Sequence, residues 1–235
     1  MKLTVEDVTR LFSVSEKTIY RWIKSSSLPA YRINNQYRFN YTELVEWAAA
    51  HRVNVAAPQA ASDTGLHDES MPSLCETLRI GGIYYRIGGH DKKTVLTEIV
   101  GLLKLPERID RNILLQILIA REEMGSTALG GGIAIPHVRD PIILNVSQPF
   151  AALCFLERPV EFGAIDGELV HTLFTLISPT IKTHLHLLSQ LSFFLRDPEF
   201  HAAVVQHASR DTILLEAQRV EASLRSEAAG TASSG

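Results

Sequence analysis

The larger part of this chain can be interpreted from one segment, Arg121-Glu-Glu-Met-Gly-Ser-Thr-Ala-Leu-Gly-Gly-Gly-Ile-Ala-Ile-Pro-His137. It places a histidine directly after a proline and behind a run of glycines, with an arginine sixteen residues upstream. A neutral imidazole can accept a phosphoryl group, which adds roughly −2 charge that must be stabilised nearby. Glycine lets backbone amides approach an anion, and arginine offers a planar fork of donors. The pattern predicts a phosphoryl acceptor, His137, stabilised by Arg121 and by the amides of Gly131, Gly132 and Ile133.

Other interpretations of the same segment are open. A histidine after proline is often only a turn residue, and three glycines by themselves indicate a flexible connection. The segment lacks Gly-Lys-Ser/Thr and is therefore not a nucleotide-binding P-loop. Arg121 closes a predicted helix over residues 111–122, where a cation is favourable in any case. We expect the His137 imidazole to be open to solvent and to lie beside the Arg121 guanidinium.

Helical spacing indicates that a second histidine, His184, lies near the predicted site. The segment Thr183–Arg196 predicts a helix in which His184, Leu188, Leu191 and Leu195 share one apolar face. A histidine on such a face is more often a core residue than a site residue. We expect His184 to border the pocket and to donate to phosphoryl oxygens. His186, on the other side of the helix, is expected to be orientational or solvated.

The motifs resemble a known family. Arg-Glu-x-Met-Gly-Ser-Thr followed by Gly-Ile-Ala-Ile-Pro-His resembles the active-site signature of the enzyme IIA proteins of the bacterial phosphotransferase system, in the fructose/mannitol/nitrogen-regulatory class. The resemblance continues through residues 164–167 and 183–186 and covers 72–225. It implies that His137 receives its phosphoryl group from a small, HPr-like phosphocarrier protein, with Arg121 and His184 at the site. Val138 and Arg139 stand where the family commonly has a small residue and lysine, which affects the docking surface.

Composition limits the classes of protein to which the chain can belong. The 235 residues are 46% hydrophobic, which suits one medium domain plus a small one. No apolar run approaches the ~18 residues needed to span a membrane, and the start of the chain lacks a hydrophobic signal core. Cys75 and Cys154 have neither pairing nor metal-ligand spacing, so we expect reduced thiols in a cytoplasmic protein. We predict no metal and no cofactor.

The N-terminal residues carry a different charge. Residues 1–52 hold eight lysines and arginines against five acidic residues, whereas the whole chain has a formal charge of −3. Thr4 and Ser15 are predicted to cap two short helices, the second ending near Lys24. Two short strands, 31–33 and 37–39, flank Asn34-Asn35-Gln36 as a hairpin, and Thr42 caps a closing helix. This order predicts a winged helix-turn-helix.

This N-terminal pattern resembles the excisionase/MerR-like DNA-binding domains. The resemblance implies that the second helix enters the major groove and that the hairpin contacts phosphate or the minor groove. The residues expected to contact DNA are Lys17, Thr18, Tyr20, Arg21, Arg32 and Arg38. A solvated face or a protein-binding module is the alternative, because a charge of +3 is modest for a DNA binder. A weak charge favours a homodimer or tandem binding.

The whole chain is therefore predicted as a winged helix-turn-helix (1–52), a flexible linker (53–71), an α/β domain with a mixed sheet flanked by helices (72–225), and a disordered tail (226–235). The leading hypothesis is a DNA-binding transcriptional regulator whose enzyme IIA-like domain accepts a phosphoryl group. Such a domain is a phosphohistidine carrier and not a free-standing turnover catalyst. A pure phosphocarrier acting through regulatory or permease partners, and a non-phosphorylated binding module, are the alternatives.

Overall fold

A computed structural model describes residues 2–25, 28–33, 36–40, 43–44, 47–48, 53, 71–107, 109–138 and 146–232. The chain divides into two compact units, residues 1–70 and 71–235. Several predicted features lie outside the described residues: the Asn34–Asn35 turn, the Thr42 cap, Arg139, and the linker from 54 to 70.

The first unit has the two predicted helices and the predicted hairpin, preceded by a short strand that was not predicted. Strand β1 (Lys2–Leu3) precedes helices α1 (Val5–Phe12) and α2 (Glu16–Lys24), and a hairpin of β2 (Tyr31–Ile33) and β3 (Gln36–Asn40) follows. The three strands form an antiparallel sheet in the order β1-β3-β2. Ile33 pairs with Gln36, so Gln36 belongs to β3 and not to the predicted turn. Residues 43–44 and 47–48 are helical.

Side-chain caps begin both helices of this unit. The Thr4 side chain accepts from the Asp7 amide, which confirms the predicted cap, and the Asp7 carboxylate accepts from the Thr4 amide at 2.9 Å, which completes a capping box. The Ser15 side chain caps α2 in the same way through the Thr18 amide. These caps satisfy amides that have no partner inside the helix, and thereby orient α1 and α2 around a core of Val8, Phe12, Ile19, Leu28, Phe39, Leu44, Trp47 and Ala48.

The second unit is built on a five-stranded mixed sheet. Its strands are β4 (Ile83–Ile87), β5 (Ala128–Gly130), β6 (Ile133–Ala134), β7 (Phe150–Val160) and β8 (Val170–Ile177), and they lie in the order β4-β7-β8-β6-β5. β4 is parallel to β7 and β6 is parallel to β8, whereas β7–β8 and β5–β6 are antiparallel. The described helices are α3 (Leu74–Gly81), α4 (Lys92–Leu102), α5 (Arg111–Glu123), α6 (Ile181–Phe194), α7 (Pro198–Val205) and α8 (Arg210–Ala232).

Helices cover the sheet, which confirms the predicted α/β class. Apolar side chains of α4 and α5 form one core with alternate residues of the strands, among them Leu173 and Ile177 of β8 and Ala134 of β6. α3 packs against β7 so closely that a side chain at Gly81 would meet the Ala151 carbonyl oxygen at 2.2 Å. α6 packs against β8. Strands buried on both faces read as nearly continuous apolar runs, as residues 150–156 do.

In the second unit, two elements differ from the sequence-based expectation. β5 was not predicted, and it turns the glycine run into the connection of a short hairpin between β5 and β6. α8 continues to Ala232, so residues 226–232 are helical where the sequence analysis expects a disordered tail. The alanines at 228 and 229 favour helix continuation, which composition alone does not distinguish from disorder.

Candidate phosphoryl-acceptor site

The predicted acceptor, His137, lies three residues beyond the C-terminal end of the short strand β6. After β6, Ile135 donates its amide to the Thr127 carbonyl at 3.0 Å, and Leu176 of β8 donates to the Pro136 carbonyl at 3.3 Å. His137 itself forms an isolated parallel bridge with Leu176. Backbone pairing with β8 therefore holds the residue in an extended conformation, and Pro136 adds a fixed φ directly before it.

One ring nitrogen of His137 is engaged by the backbone. Nδ1 lies 2.7 Å from the carbonyl oxygen of Ile135. A carbonyl oxygen can only accept, so Nδ1 must carry the hydrogen and donate it. In a neutral imidazole the second nitrogen, Nε2, then holds the lone pair. This contact places the ring lone pair on Nε2, an assignment that the sequence leaves open.

His184 lies against His137, as predicted. The two ring centroids are 5.0 Å apart with an angle of 37° between the planes. His184 sits in the first turns of α6, where its amide donates to Thr180 at 2.9 Å, and it is 1% exposed. Leu188 and Leu191 are buried on the same helix, which agrees with the predicted apolar face. His186 is half-buried and hydrogen-bonded to the Pro72 backbone, and burial lowers the pKa of its ring.

Burial of His137 differs from the expected open imidazole. The residue is only 3% exposed. Arg121, at the end of α5, donates from Nη1 to the Gly125 carbonyl at 2.9 Å and is half-buried. The structure thus brings His137 and His184 together, while the described contact of Arg121 holds the loop that follows α5.

The glycine turn has a partner that was not anticipated. The Gly131 amide donates to Asp166 Oδ2 at 2.8 Å, and the Glu168 amide donates to Asp166 Oδ1 at 3.1 Å. Gly130, Gly131 and Gly132 have φ of 86°, 61° and 73°, which only glycine adopts at little cost. Because Asp166 occupies the Gly131 amide, this amide cannot bind a phosphoryl group while that bond persists. Gly132 and Ile133 are buried in the hairpin.

Gly132 is packed directly against another histidine. A side chain at Gly132 would meet His171 Nε2 at 2.2 Å. His171 in turn bonds Thr172 through Nδ1 at 2.8 Å, and the His207 ring lies 5.4 Å from it between centroids. Burial lowers the pKa of both rings. The glycine is therefore needed for close packing as well as for its backbone conformation.

A buried carboxylate supports the loop between Arg121 and the hairpin. Glu122, whose side chain is 5% exposed, accepts from the Thr127 amide at 3.0 Å and from Thr127 Oγ1 at 2.6 Å. Lys92 Nζ lies 3.3 Å from its other oxygen. Neither Glu122 nor Asp166 received a role from the sequence, although both belong to the motifs quoted above. For Glu122, the sequence offered only the signal of a carboxylate three residues before Gly125-Ser126-Thr127.

The predicted DNA-contacting residues lie on α2 and the hairpin of the first unit. Lys17, Tyr20 and Arg21 are exposed and line a shallow depression together with Thr18 and Lys24. Tyr20 packs edge-on against Tyr37 of β3, with centroids 6.0 Å apart, so α2 and the hairpin are neighbours.

The two arginines of the hairpin are placed differently from each other. Arg38 is held to it by bonds to Gln36 Oε1 at 2.6 Å and to the Tyr37 carbonyl at 3.0 Å. Arg32 pairs with Tyr37 in the sheet, and its side chain lies outside the described residues.

One cluster of acidic side chains has the spacing of metal ligands, namely Asp197, Glu199 and Glu216. Arg219 already lies among these carboxylates, 2.8 Å from Glu199 and 2.7 Å from Glu216, and it also bonds Asp197. The cluster thus has its own cation.

No helix in the described part of the chain combines the length and the hydropathy that crossing a bilayer demands.

Comparison with known proteins agrees with this geometry. Residues 77–217 match the family model described as "Phosphoenolpyruvate-dependent sugar phosphotransferase system, EIIA 2", and residues 3–52 match a helix-turn-helix domain model. The chain is 40% identical over 129 residues to the nitrogen regulatory protein of Pseudomonas aeruginosa, covering 53% of this chain and 81% of that protein. It is 34% identical over 126 residues to the nitrogen regulatory protein of Bradyrhizobium diazoefficiens, covering 52% and 78%.

Similarity extends to a solved structure. The nitrogen regulatory protein IIA-Ntr from Neisseria meningitidis superposes with a TM-score of 0.54 at 29% identity, over 61% of this chain and 97% of that one. The chain therefore belongs to the EIIA type 2 family of the phosphoenolpyruvate-dependent sugar phosphotransferase system, and it joins this domain to an N-terminal helix-turn-helix domain.

Proposed function

We propose that this chain is a cytoplasmic, DNA-binding transcriptional regulator whose EIIA domain accepts a phosphoryl group on His137 from an HPr-like phosphocarrier protein. The observation that carries the proposal is the bond between His137 Nδ1 and the Ile135 carbonyl. It fixes the tautomer and leaves the Nε2 lone pair for attack on phosphorus. Family membership supplies the class of donor.

The transfer step needs no proton acceptor. The Nε2 lone pair forms the new N–P bond as the N–P bond of the donor phosphohistidine breaks, and that electron pair returns to the donor ring. The Nδ1–H of His137 stays hydrogen-bonded to Ile135, which favours the cationic, phosphorylated ring. Arg121 and His184 are the proposed groups that stabilise charge on the phosphoryl oxygens, since such transfers depend chiefly on positioning and electrostatics.

Burial of His137 restricts how a phosphoryl donor can reach it. Because His137 is 3% exposed, a donor protein must displace neighbouring side chains before its phosphoryl group can reach Nε2. A site that opens rarely without a docked donor also keeps water away from the phosphohistidine. We expect a small donor to react with this site more slowly than a phosphocarrier protein does.

The first experiment tests acceptance in the full-length protein. Two donors are used: phosphoramidate, which needs no protein recognition, and a relay of phosphoenolpyruvate, enzyme I and a phosphocarrier protein. We expect a mass gain of one phosphoryl group that is lost in acid and is absent in His137→Ala. His90→Ala is the control, because His90 is exposed and far along the chain from the site. No gain with either donor, or an equal gain in His137→Ala, would exclude His137 as the acceptor.

DNA binding is the second half of the proposal. Lys17 and Arg21 lie exposed on α2 next to the hairpin, the arrangement in which a recognition helix presents side chains to a groove. Arg38 is bonded within the hairpin, so we propose that it shapes the hairpin and supplies charge to a nearby phosphate. Because a charge of +3 over residues 1–52 is modest for a DNA binder, a homodimer or tandem sites would raise the affinity.

Binding to duplex DNA of mixed sequence, measured at several salt concentrations, tests this half. Arg21→Ala is expected to reduce the slope of log affinity against log salt by about 1. Arg10→Ala is the matched control, because Arg10 is also exposed but lies on α1 and pairs with Glu6 and Asp7. If both variants change the slope equally, or if wild type shows no salt-dependent binding, α2 is not the DNA-contacting surface.

The second candidate is an EIIA phosphocarrier that acts through regulatory protein partners, with the helix-turn-helix as an interaction module. The similarity to proteins named nitrogen regulatory protein favours this candidate over sugar transport. Phosphorylation of His137 without DNA binding would distinguish it from the leading proposal.

A further inference from the structure

Two buried hydroxyl groups in the second unit have no hydrogen-bond partner among the described residues: Thr175 Oγ1 and Ser178 Oγ. Both residues are 0% exposed. A buried hydroxyl without a partner destabilises the folded state, and such groups in a protein call for a physical reason. The two residues lie in and just beyond β8, on either side of Leu176, the residue that bridges His137.

The register of the sheet distinguishes the two hydroxyls. Leu173 and Ile177 of β8 and Val138 next to His137 belong to the core beneath α4 and α5. Side chains alternate along a strand, so Thr175 faces that core, whereas Leu176 and His137 face the opposite side of the sheet. Continuing the alternation past the end of β8 places Ser178 on the side of His137. It lies two residues from Leu176, about 6.6 Å along the strand.

The connection to α6 encloses the same corner. Thr180 caps α6, which begins at Ile181, only three residues after Ser178. The ring of His184 on this helix lies beside that of His137, with their centroids 5.0 Å apart. Ser178 therefore lies on the short segment that joins the strand paired with His137 to the helix that carries its neighbouring histidine.

We propose that the Ser178 hydroxyl is a further phosphoryl-binding group, which donates a hydrogen bond to an oxygen of the phosphoryl group on His137 Nε2. The inference rests on the proposed function. No covalent bond changes at Ser178. Phosphoryl oxygens are strong, charged acceptors, and a hydroxyl that has no other partner gives up no existing bond when it turns toward them. Among the described residues Ser178 has no hydrogen-bond partner in the unmodified protein, and phosphorylation supplies one.

This role predicts effects of opposite sign in the two states. In the unmodified protein, Ser178→Ala removes a buried hydroxyl without a partner, so the melting temperature should stay the same or rise. Phosphorylation by phosphoramidate should slow roughly 10- to 100-fold, the change expected for one hydrogen bond to a charged group. The phosphohistidine should also hydrolyse faster. A purely structural serine would lower stability and phosphorylation together.

Two comparisons in the full-length protein test the inference. Thr175→Val removes a buried hydroxyl from the opposite face of the same strand, and it should leave phosphorylation within about twofold of wild type. Ser178→Thr and Ser178→Val have the same shape and differ only in the hydroxyl, so any packing strain is shared. We expect the threonine variant to accept the phosphoryl group faster than the valine variant.

The outcomes distinguish a failure of the Ser178 role from a failure of the proposed function. Equal rates for the threonine and valine variants, or equal slowing in Ser178→Ala and Thr175→Val, would overturn the role of Ser178 while His137 remains the acceptor. Absence of phosphorylation in wild type would remove the proposed function itself, and the role of Ser178 with it.

Discussion

Replacement of Glu122 by alanine should destabilise the EIIA domain more than any exposed substitution near the site. The carboxylate is buried and receives both the amide and the hydroxyl of Thr127, at 3.0 and 2.6 Å. Its removal leaves two buried donors without an acceptor, at about 1–3 kcal/mol each, or about 2–6 kcal/mol in total. That is a large part of the 5–15 kcal/mol typical of a domain. Lys92 adds little, because its ammonium is partly exposed and screened.

The assay is urea unfolding of the full-length protein with two probes. Both tryptophans, Trp22 and Trp47, belong to the first unit, so their fluorescence reports on it alone. Far-UV circular dichroism mainly follows the larger second unit. Glu122→Ala should lower the midpoint of the circular dichroism transition and leave the fluorescence transition in place. Glu122→Gln keeps an oxygen for Thr127 and should cost about 1–2 kcal/mol, the difference between charged and neutral acceptors.

Glu123→Ala is the control, because Glu123 is exposed at the end of α5 and should change stability by less than about 0.5 kcal/mol. A loss in Glu122→Ala of less than 1 kcal/mol, or one equal to that of the control, would refute the account of the Thr127 bonds. A shift of the tryptophan transition would instead show that the two units unfold together.

Two further predictions concern the glycine turn and pH. Gly132→Ala should cost more than Gly167→Ala: both residues have φ of 73°, but only the Gly132 methyl group meets a neighbour, His171. The left-handed backbone alone should cost either alanine variant about 1–2 kcal/mol of unfolding free energy. Thermal unfolding of the two variants measures the additional loss in Gly132→Ala, and equal losses would contradict the packing against His171. Because burial lowers the pKa of His171 and His207, the unfolded chain binds protons first as pH falls below about 6.5. Stability should decrease there, and His171→Gln should reduce the slope of unfolding free energy against pH; an unchanged slope would contradict this.

Local sequence determined much of what is found in this chain. The Thr4 and Ser15 caps, the short helices of the first unit and the apolar face of α6 follow from residues within a few positions of one another. Helix caps and helical spacing depend on neighbours along the chain, so they can be read directly from the sequence. The order of motifs likewise indicated the family, since spacing along the chain is preserved in the sequence itself.

Tertiary structure alone decided the chemistry around His137. The Ile135 carbonyl accepts from Nδ1 of His137, which leaves the ring lone pair on Nε2. Asp166 accepts from the Gly131 amide, which was expected to bind a phosphoryl group. The His137 ring is buried, whereas an open ring was expected. The register between His137 and Leu176 places Ser178 on the side of the sheet that His137 faces. These contacts join residues that are distant in sequence, or depend on the exact φ and ψ of a turn, and sheet pairing and packing set them only once the whole domain has folded.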